Sequence, residues 1–233
     1  MIAVTGDIHG AMDIGKLDND FNPMLSNMTK EDFVLICGDF GLVWSDDEED
    51  RYWRSWLDSQ PYTTLFIDGN HENFDLLNAY EVEEWHGGKV HRISDSIIHL
   101  MRGQVYEIDG KKFFTMGGAS SQDIELRELG VSYWEEELPN DKEYEEAVAN
   151  LDKSDYVFDY IITHCAPTYI EEEMVEITRN RGYEANELTD FLEEIAFKVY
   201  YKKWYCGHYH VDRVSEFNPN FRVLYNDVVR LGD

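Results

Sequence analysis

Short apolar segments that run into polar turns recur along this chain, and the polar residues are of types that bind metal ions. The first segment, Ile2–Thr5, leads into Gly6-Asp7-Ile8-His9-Gly10. Because alternate side chains of an extended segment point the same way, Asp7 and His9 can face one point. The flanking glycines let the backbone bend sharply and let a ligand approach closely. A carboxylate and an imidazole that converge in this way suit a divalent metal ion.

Four further apolar segments end in the same way. They are Phe33–Cys37 before Gly38-Asp39, Thr64–Ile67 before Gly69-Asn70-His71, Tyr160–Thr163 before His164, and Trp204–Cys206 before Gly207-His208. The ligand-type residues at the five turns are two carboxylates, one amide and five of the eight histidines: Asp7, His9, Asp39, Asn70, His71, His164, His208 and His210. A mixture of oxygen and imidazole ligands favours Mn, Fe, Zn, Ni or Co over Ca or Mg, and does not choose among those five metals.

In order and spacing, these turns resemble those of the calcineurin-like metallophosphoesterase superfamily, including its bacterial and phage members. The motifs that carry the resemblance are Gly6–Gly10, Gly38-Asp39, Gly69-Asn70-His71-Glu72, His164 and Gly207-His208-Tyr209-His210. The resemblance implies an α/β fold, specifically a four-layer αββα sandwich with mixed β-sheets. It also implies a dinuclear metal site at the carboxyl ends of the strands.

The resemblance further implies a role for each matching residue. The implied ligands are Asp7, His9 and His210 for one ion, Asn70, His164 and His208 for the other, and Asp39 as a bridge between both. His71, which is next to a ligand without being one, resembles the catalytic imidazole of the superfamily. It could protonate the leaving oxygen or stabilise charge on it.

The chemistry expected of such a centre is hydrolysis of a phosphate mono- or diester. Two divalent cations roughly 3.5–4 Å apart bind the phosphoryl oxygens and share a hydroxide that attacks phosphorus. Two alternatives remain. The chain could be a non-catalytic metal-binding scaffold of the same fold, although the presence of His71 argues against this. It could also be a phosphoprotein phosphatase, but those members carry an Asp three residues after the bridging carboxylate, followed by an Arg, where this chain has Leu42 and Val43-Trp44.

The five apolar segments predict strands that are covered on both faces. If they are parallel neighbours, all five turns lie along one rim of a sheet, where open α/β sheets bind ligands. Helices are predicted between them, on the stripe of Trp53, Trp56 and Leu57, after a capping box formed by Asn140 with Glu143, and along residues 188–199. Hairpins are predicted within residues 89–116 and 211–225.

Composition limits the choice of fold and partner. A length of 233 residues fits a single domain, which we place over residues 1–233. The formal net charge of -28 repels a phosphate backbone, so a small or compact phosphoester is expected rather than a long nucleic acid.

Three cysteines indicate a reducing compartment rather than a disulfide framework. Neither a signal peptide nor an apolar run of about 18 residues is evident, which predicts a cytoplasmic protein without a membrane partner. Nothing in the sequence indicates an oligomeric state.

Three further features have more than one interpretation. The acidic runs Asp46–Asp50, Glu135–Glu137 and Glu171–Glu173 are interpreted as solvated helix starts and faces. The stretch Gly117–Ser121 could place backbone N–H groups or Arg127 near the metal ions, but close packing of small residues explains it equally well. The remaining histidines are interpreted as structural or surface residues: His86, His91 and His99.

Overall fold

Two β-sheets packed face to face form the centre of the molecule in the computed structural model, which describes residues 1–20 and 22–232. The strands are β1 Ile2–Thr5, β2 Phe33–Ile36, β3 Thr63–Phe66, β4 Val82–Trp85, β5 Gly88–Ser94, β6 Ile97–Leu100, β7 Gln104–Ile108, β8 Lys111–Met116, β9 Tyr160–Thr163, β10 Lys203–Cys206, β11 Arg213–Val214, β12 Phe221–Val223 and β13 Val229–Arg230. The α-helices are α1 Glu48–Ser59, α2 Phe74–Leu77, α3 Asp141–Lys153, α4 Thr168–Thr178 and α5 Glu187–Lys198. Short 3₁₀ turns lie at Ile14–Leu17, Leu25–Asn27, Ile124–Leu126 and Glu135–Glu137.

Both sheets are mixed. The strand order of the first is β13-β1-β2-β3-β6-β5-β4, and that of the second is β11-β12-β10-β9-β8-β7. In the first sheet β1, β2, β3 and β6 are parallel, with Val4 beside Leu35 and Leu35 beside Leu65. In the second sheet β8, β9, β10 and β12 are parallel. Antiparallel strands complete each edge.

The layers follow from the alternation of side chains along each strand. Val4, Leu35 and Leu65 point inward and pack with Ile162 and Tyr205 of the second sheet. The alternate side chains of each strand point outward. Those of the first sheet pack against α1 and the 3₁₀ turns near the N-terminus, and those of the second sheet pack against α3, α4 and α5. The predicted αββα sandwich with mixed sheets is confirmed. The single domain over residues 1–233 stays a prediction, and Phe21 and Asp233 lie outside the described residues.

The predicted helix starts and hairpins are confirmed. Asp47 caps α1 by accepting from the backbone N–H groups of Glu49 and Asp50. Asn140 begins α3 with a capping box closed by Glu143. The strands β7 and β8 pair as a hairpin within residues 89–116, and β11 pairs with β12 within residues 211–225. No helix of residues 1–20 or 22–232 is both long and apolar enough to cross a membrane.

The expectation of one rim is wrong, because the five turns belong to two sheets. The turns after β1, β2 and β3 follow the first sheet, and those after β9 and β10 follow the second. All five strands are apolar on both faces because each is covered by a helical layer on one side and by the other sheet on the opposite side. Burial alone does not say which sheet a strand joins, and the turns meet only because the two sheets are stacked.

The interpretation of the acidic runs as solvated is also wrong at several positions. Asp50, Glu137, Glu171 and Glu173 are buried. Asp50 accepts hydrogen bonds from three consecutive backbone N–H groups in the turn before α1. Glu173 accepts from the Ser215 hydroxyl at 2.5 Å and from the backbone N–H of Glu216 at 2.8 Å. A carboxylate in a loop or helix can therefore be buried where backbone donors satisfy it.

Candidate metal centre

The loops after β1 and β2 are joined by backbone hydrogen bonds, which bring the first two acidic residues together. The N–H groups of Ile8 and His9 donate to the carbonyl oxygen of Asp39 at 3.1 and 2.9 Å. Glu72 holds the β2 loop from the other side, because its carboxylate accepts from the N–H groups of Phe40 and Gly41 at 2.7 and 3.1 Å. The loops that carry the candidate ligands are thus fixed by groups that are not themselves ligands.

Four of the candidate ligands adopt a left-handed backbone conformation. The φ angles are 44° at His9, 48° at Asp39, 70° at His208 and 51° at His210. Each such position costs about 1–3 kcal/mol outside glycine, and they concentrate at functional sites. Gly69 is required for a steric reason. A β-carbon at this position would lie 2.1 Å from Asp39 Oδ1.

Four residues converge on one point. The ligand atoms of Asp7, His9, Asp39 and His210 all lie within 4.8 Å of one another. His9 Nε2 is 3.3 Å from Asp39 Oδ2, and His210 Nε2 is 3.3 Å from Asp7 Oδ2. These are the three ligands that the resemblance implies for one ion, together with the implied bridge.

The ligands assigned to the other ion are gathered less completely. His164 Nε2 lies 3.3 Å from Asp39 Oδ1 and 3.2 Å from Asn70 Oδ1. Its Nδ1–H donates to the carbonyl oxygen of Cys37 at 2.8 Å, which leaves Nε2 facing the centre. The ring of His208 lies 5.0 Å from that of His164, centroid to centroid, and its backbone N–H donates to both carboxylate oxygens of Asp7.

His71 lies beside these ligands and faces the guanidinium group of Arg127. Its backbone N–H donates to Asp39 Oδ1 at 2.8 Å. One guanidinium nitrogen of Arg127 is 3.2 Å from its Nδ1. Burial lowers the pKa of His71, and the neighbouring Arg127 and His9 lower it further, against the carboxylate of Asp39, which raises it.

The donor set fits divalent cations. Asp7 and Asp39 are buried, and within residues 1–20 and 22–232 neither carboxylate pairs with a lysine or arginine. Burial works against ionisation, yet the pKa of Asp39 is held well below its usual range by His164 and His9. Two buried carboxylates whose ion-pair partners among the described residues are imidazoles carry negative charge that a bound metal ion would neutralise.

The site also contains residues that the sequence did not assign. Arg127 and Asn180 line a cleft of about 340 Å³ in front of Asp39, Asn70 and His71. Ser121 accepts a hydrogen bond from the Asn70 side-chain amide at 3.0 Å, which directs the amide oxygen toward His164. The sequence leaves the role of Gly117–Ser121 and Arg127 open, because the loop that contains them combines small residues with charges of both signs and has no ligand motif.

A second cavity, of about 690 Å³, adjoins the cleft, and His71 and His210 line both. Its wall includes the apolar side chains of Met12, Leu42 and Trp44, together with the ring of Tyr225. The Tyr225 ring stacks on His210 at 4.6 Å between centroids. Open space thus lies beside the converging ligands in two adjoining cavities, and either can receive an organic group.

A model of the calcineurin-like phosphoesterase family matches residues 1–212. Among solved structures, the chain is similar to a phosphopantetheinyl hydrolase from Mycobacterium tuberculosis, with 14% identity, a TM-score of 0.48 and coverage of 97% of this chain and 89% of that one. The search of curated proteins found no significant match.

Proposed function

The chain belongs to the calcineurin-like phosphoesterase family, and from this premise we propose that its metal centre hydrolyses phosphate mono- or diesters with two divalent cations. The observation that carries the proposal is the convergence of Asp7, His9, Asp39 and His210, whose ligand atoms lie within 4.8 Å of one another. His164, Asn70 and His208 would hold the second ion beside Asp39. Mn, Fe, Zn, Ni and Co all suit this donor set.

Bound divalent cations supply charge neutralisation on the phosphoryl oxygens and lower the pKa of water to near neutrality. The protein supplies the remaining groups. His71 faces the cleft and can give a proton to the leaving oxygen or stabilise its charge, an effect typically worth about 10²–10⁴ in rate. Arg127, beside it, presents a guanidinium fork that matches two phosphoryl oxygens.

The surroundings support a small or compact substrate. The cleft and the cavity beside it measure about 340 and 690 Å³, which is the size of small-molecule sites. The net charge of -28 disfavours approach of a long nucleic acid. Leu42, at the position where phosphoprotein phosphatases carry an aspartate, is buried in the core and offers no carboxylate to His71. The side-chain neighbour of His71 is instead Arg127.

The proposal is tested with purified protein, added Mn and a panel of phosphoesters. The panel comprises para-nitrophenyl phosphate, its bis ester, cyclic nucleotides, dinucleoside polyphosphates and a phosphopeptide. Metal-dependent turnover that a chelator abolishes is expected with at least one small ester. Metal binding without turnover on the whole panel would instead favour the scaffold interpretation, and a preference for the phosphopeptide would favour a phosphoprotein phosphatase.

Arg127→Ala is expected to reduce kcat/KM by about 10- to 100-fold, since a hydrogen bond to a charged group is worth about 1.5–3 kcal/mol. Lysine at the same position should restore part of the loss, because it keeps the charge without the fork. Steady-state kinetics on para-nitrophenyl phosphate provides the measurement. Arg92→Ala is the matched control, since among the described residues the ion-pair partner of Arg92 is Glu83 on the neighbouring β4. Equal kinetics for Arg127→Ala and Arg92→Ala would remove Arg127 from the site.

A further inference from the structure

A third cavity, of about 320 Å³, lies behind the centre between the loop after β8 and the first turn of α4. It is called the Glu171 cavity here, and Ser121, Cys165, Glu171 and Asn186 are part of its wall. Tyr183 and His208 line both this cavity and the cleft that contains Asp39 and Arg127. A molecule whose phosphoryl group occupies the cleft can therefore extend into the Glu171 cavity.

The carboxyl group of Glu171 has an unusual environment. The residue is 5% exposed, and its Oε2 atom is buried without a hydrogen-bond partner. Burial, together with the nearby charge of Asp190, raises the pKa of Glu171 to about 8. Leaving a buried acceptor unpaired costs about 1–3 kcal/mol, so native structures rarely do so without a reason.

The position of this unpaired atom is also specific. Among the described residues that bury an unpartnered polar side-chain atom, Glu171 is the one that lines a cavity at the metal centre. Glu173, two residues along α4, is equally buried but has its oxygens satisfied by Ser215 and Glu216. Burial on α4 thus does not by itself leave a carboxyl group without partners.

The wall of the cavity is acidic. Glu125 and Glu184 line it with Glu171, and no lysine or arginine is among the described residues of its wall. A ligand group that enters should therefore be cationic and should carry N–H donors for the Glu171 carboxyl group. The positive charge needed by the phosphoryl group lies on the other side, at Arg127.

We infer that the Glu171 cavity binds an ammonium group carried on the organic part of the phosphoester, and that Glu171 determines this specificity. The inference rests on the proposed function for the location of the phosphoryl group. Arg127 and the metal centre hold the anionic end of the substrate, and Glu171 holds the cationic end. A substrate with a neutral alkyl group in place of the ammonium group leaves the Glu171 carboxyl group without a partner. A substrate with an anionic group there is repelled by the acidic wall of the cavity.

Binding is tested with phosphonates, which the enzyme cannot hydrolyse. Terminal aminoalkylphosphonates of increasing chain length are compared with alkylphosphonates of the same size, by calorimetry on the Mn-loaded protein. At the chain length that reaches Glu171, the amino compound should bind about 10- to 100-fold more tightly than its alkyl counterpart. Glu171→Gln should remove that difference, whereas Glu172→Gln, at the exposed neighbouring position, should keep it.

Kinetics separates this inference from the proposed function. Metal-dependent hydrolysis of para-nitrophenyl phosphate tests the proposed function alone. The ratio of kcat/KM for an aminoalkyl phosphate to that for the matched alkyl phosphate tests Glu171, and it should fall about 10- to 100-fold in Glu171→Gln. The inference is wrong if the amino and alkyl compounds bind equally to the wild-type protein at every chain length. It is also wrong if Glu171→Gln leaves their difference unchanged.

Discussion

Replacing His71 with alanine is expected to lower turnover by about 10²-fold or more while the protein keeps its metal. The reason is geometric, because the His71 ring lines the cleft next to Arg127 while its backbone, rather than its side chain, hydrogen-bonds to Asp39. Removing the ring therefore takes away the group that we propose to protonate the leaving oxygen or stabilise its charge, and it leaves the proposed ligands in place. The measurement is kcat on para-nitrophenyl phosphate together with metal content by elemental analysis.

The control for this variant is His86→Ala, which removes an exposed imidazole that contacts the Glu107 carbonyl oxygen. It should retain both turnover and metal. Unchanged turnover of His71→Ala on every ester that the wild-type protein hydrolyses would remove His71 from the mechanism. Loss of metal along with turnover would instead make His71 a support of the ligand loops.

The largest effect on stability is expected from Arg102→Met. Arg102 and Asp68 are both buried, with Arg102 Nε 2.7 Å from Asp68 Oδ2, and His99 Nε2 lies 3.1 Å from Asp68 Oδ1. Removing one partner of a buried ion pair costs about 3–5 kcal/mol, because the other charge stays buried and uncompensated. The free energy of unfolding, measured by denaturant titration near neutral pH, should fall by this amount.

The pH dependence of this pair has a definite sign. Burial works against ionisation of Asp68, but Arg102 and His99 hold its pKa well below the usual range in the folded protein. Its contribution to stability is therefore present above the unfolded pKa, at about pH 4, and is lost as the pH falls toward the folded-state value. Arg102→Met should weaken that acid dependence.

An exposed pair provides the comparison. Arg92→Met removes a half-exposed partner of Glu83 and should cost at most about 1 kcal/mol. The double variant Asp68→Asn with Arg102→Met should recover much of the loss, since no charge remains buried. A loss for Arg102→Met no larger than that for Arg92→Met would show that the buried pair is solvated in solution.

The buried pair also bears on the active site. Gly118 N–H donates to the backbone carbonyl of Asp68 at 3.0 Å, and Arg102 donates to the carbonyl oxygen of Glu136 at 2.7 Å. Both contacts hold the loop that carries Arg127 against the end of β3. None of this network follows from the sequence, where His99 and Arg102 are a histidine and an arginine without a motif.

Local features were the most predictable from the sequence. The capping box at Asn140 and the hairpin turn at Asp109-Gly110 depend on neighbouring residues, so a short stretch determines them. The candidate ligands could be chosen because each lies in the polar turn after an apolar strand. The way in which two sheets bring His164 to Asp39 depends on packing between distant segments, which a strand pattern does not contain.

The missed residues show the same limit. Arg127 meets His71 across 56 positions of sequence, and the turn that carries it has no ligand-type signature. Glu171 is part of an acidic run that is typical of a solvated helix face, yet it is buried, because the side of α4 that it occupies packs against the sheet. An amphipathic pattern distinguishes apolar from polar faces, and it cannot identify a carboxyl group that is buried among apolar residues.

Elemental analysis of the Mn-loaded protein, dialysed to remove free metal, tests the central claim most directly. The converging carboxylates and imidazoles should retain two Mn ions per chain, and Asp39→Asn should lose at least one, since Asp39 is the carboxylate shared between both sets of ligands. Protein that retains no metal, or an Asp39→Asn variant that retains as much as the wild-type protein, would contradict the claim that these residues form a metal centre.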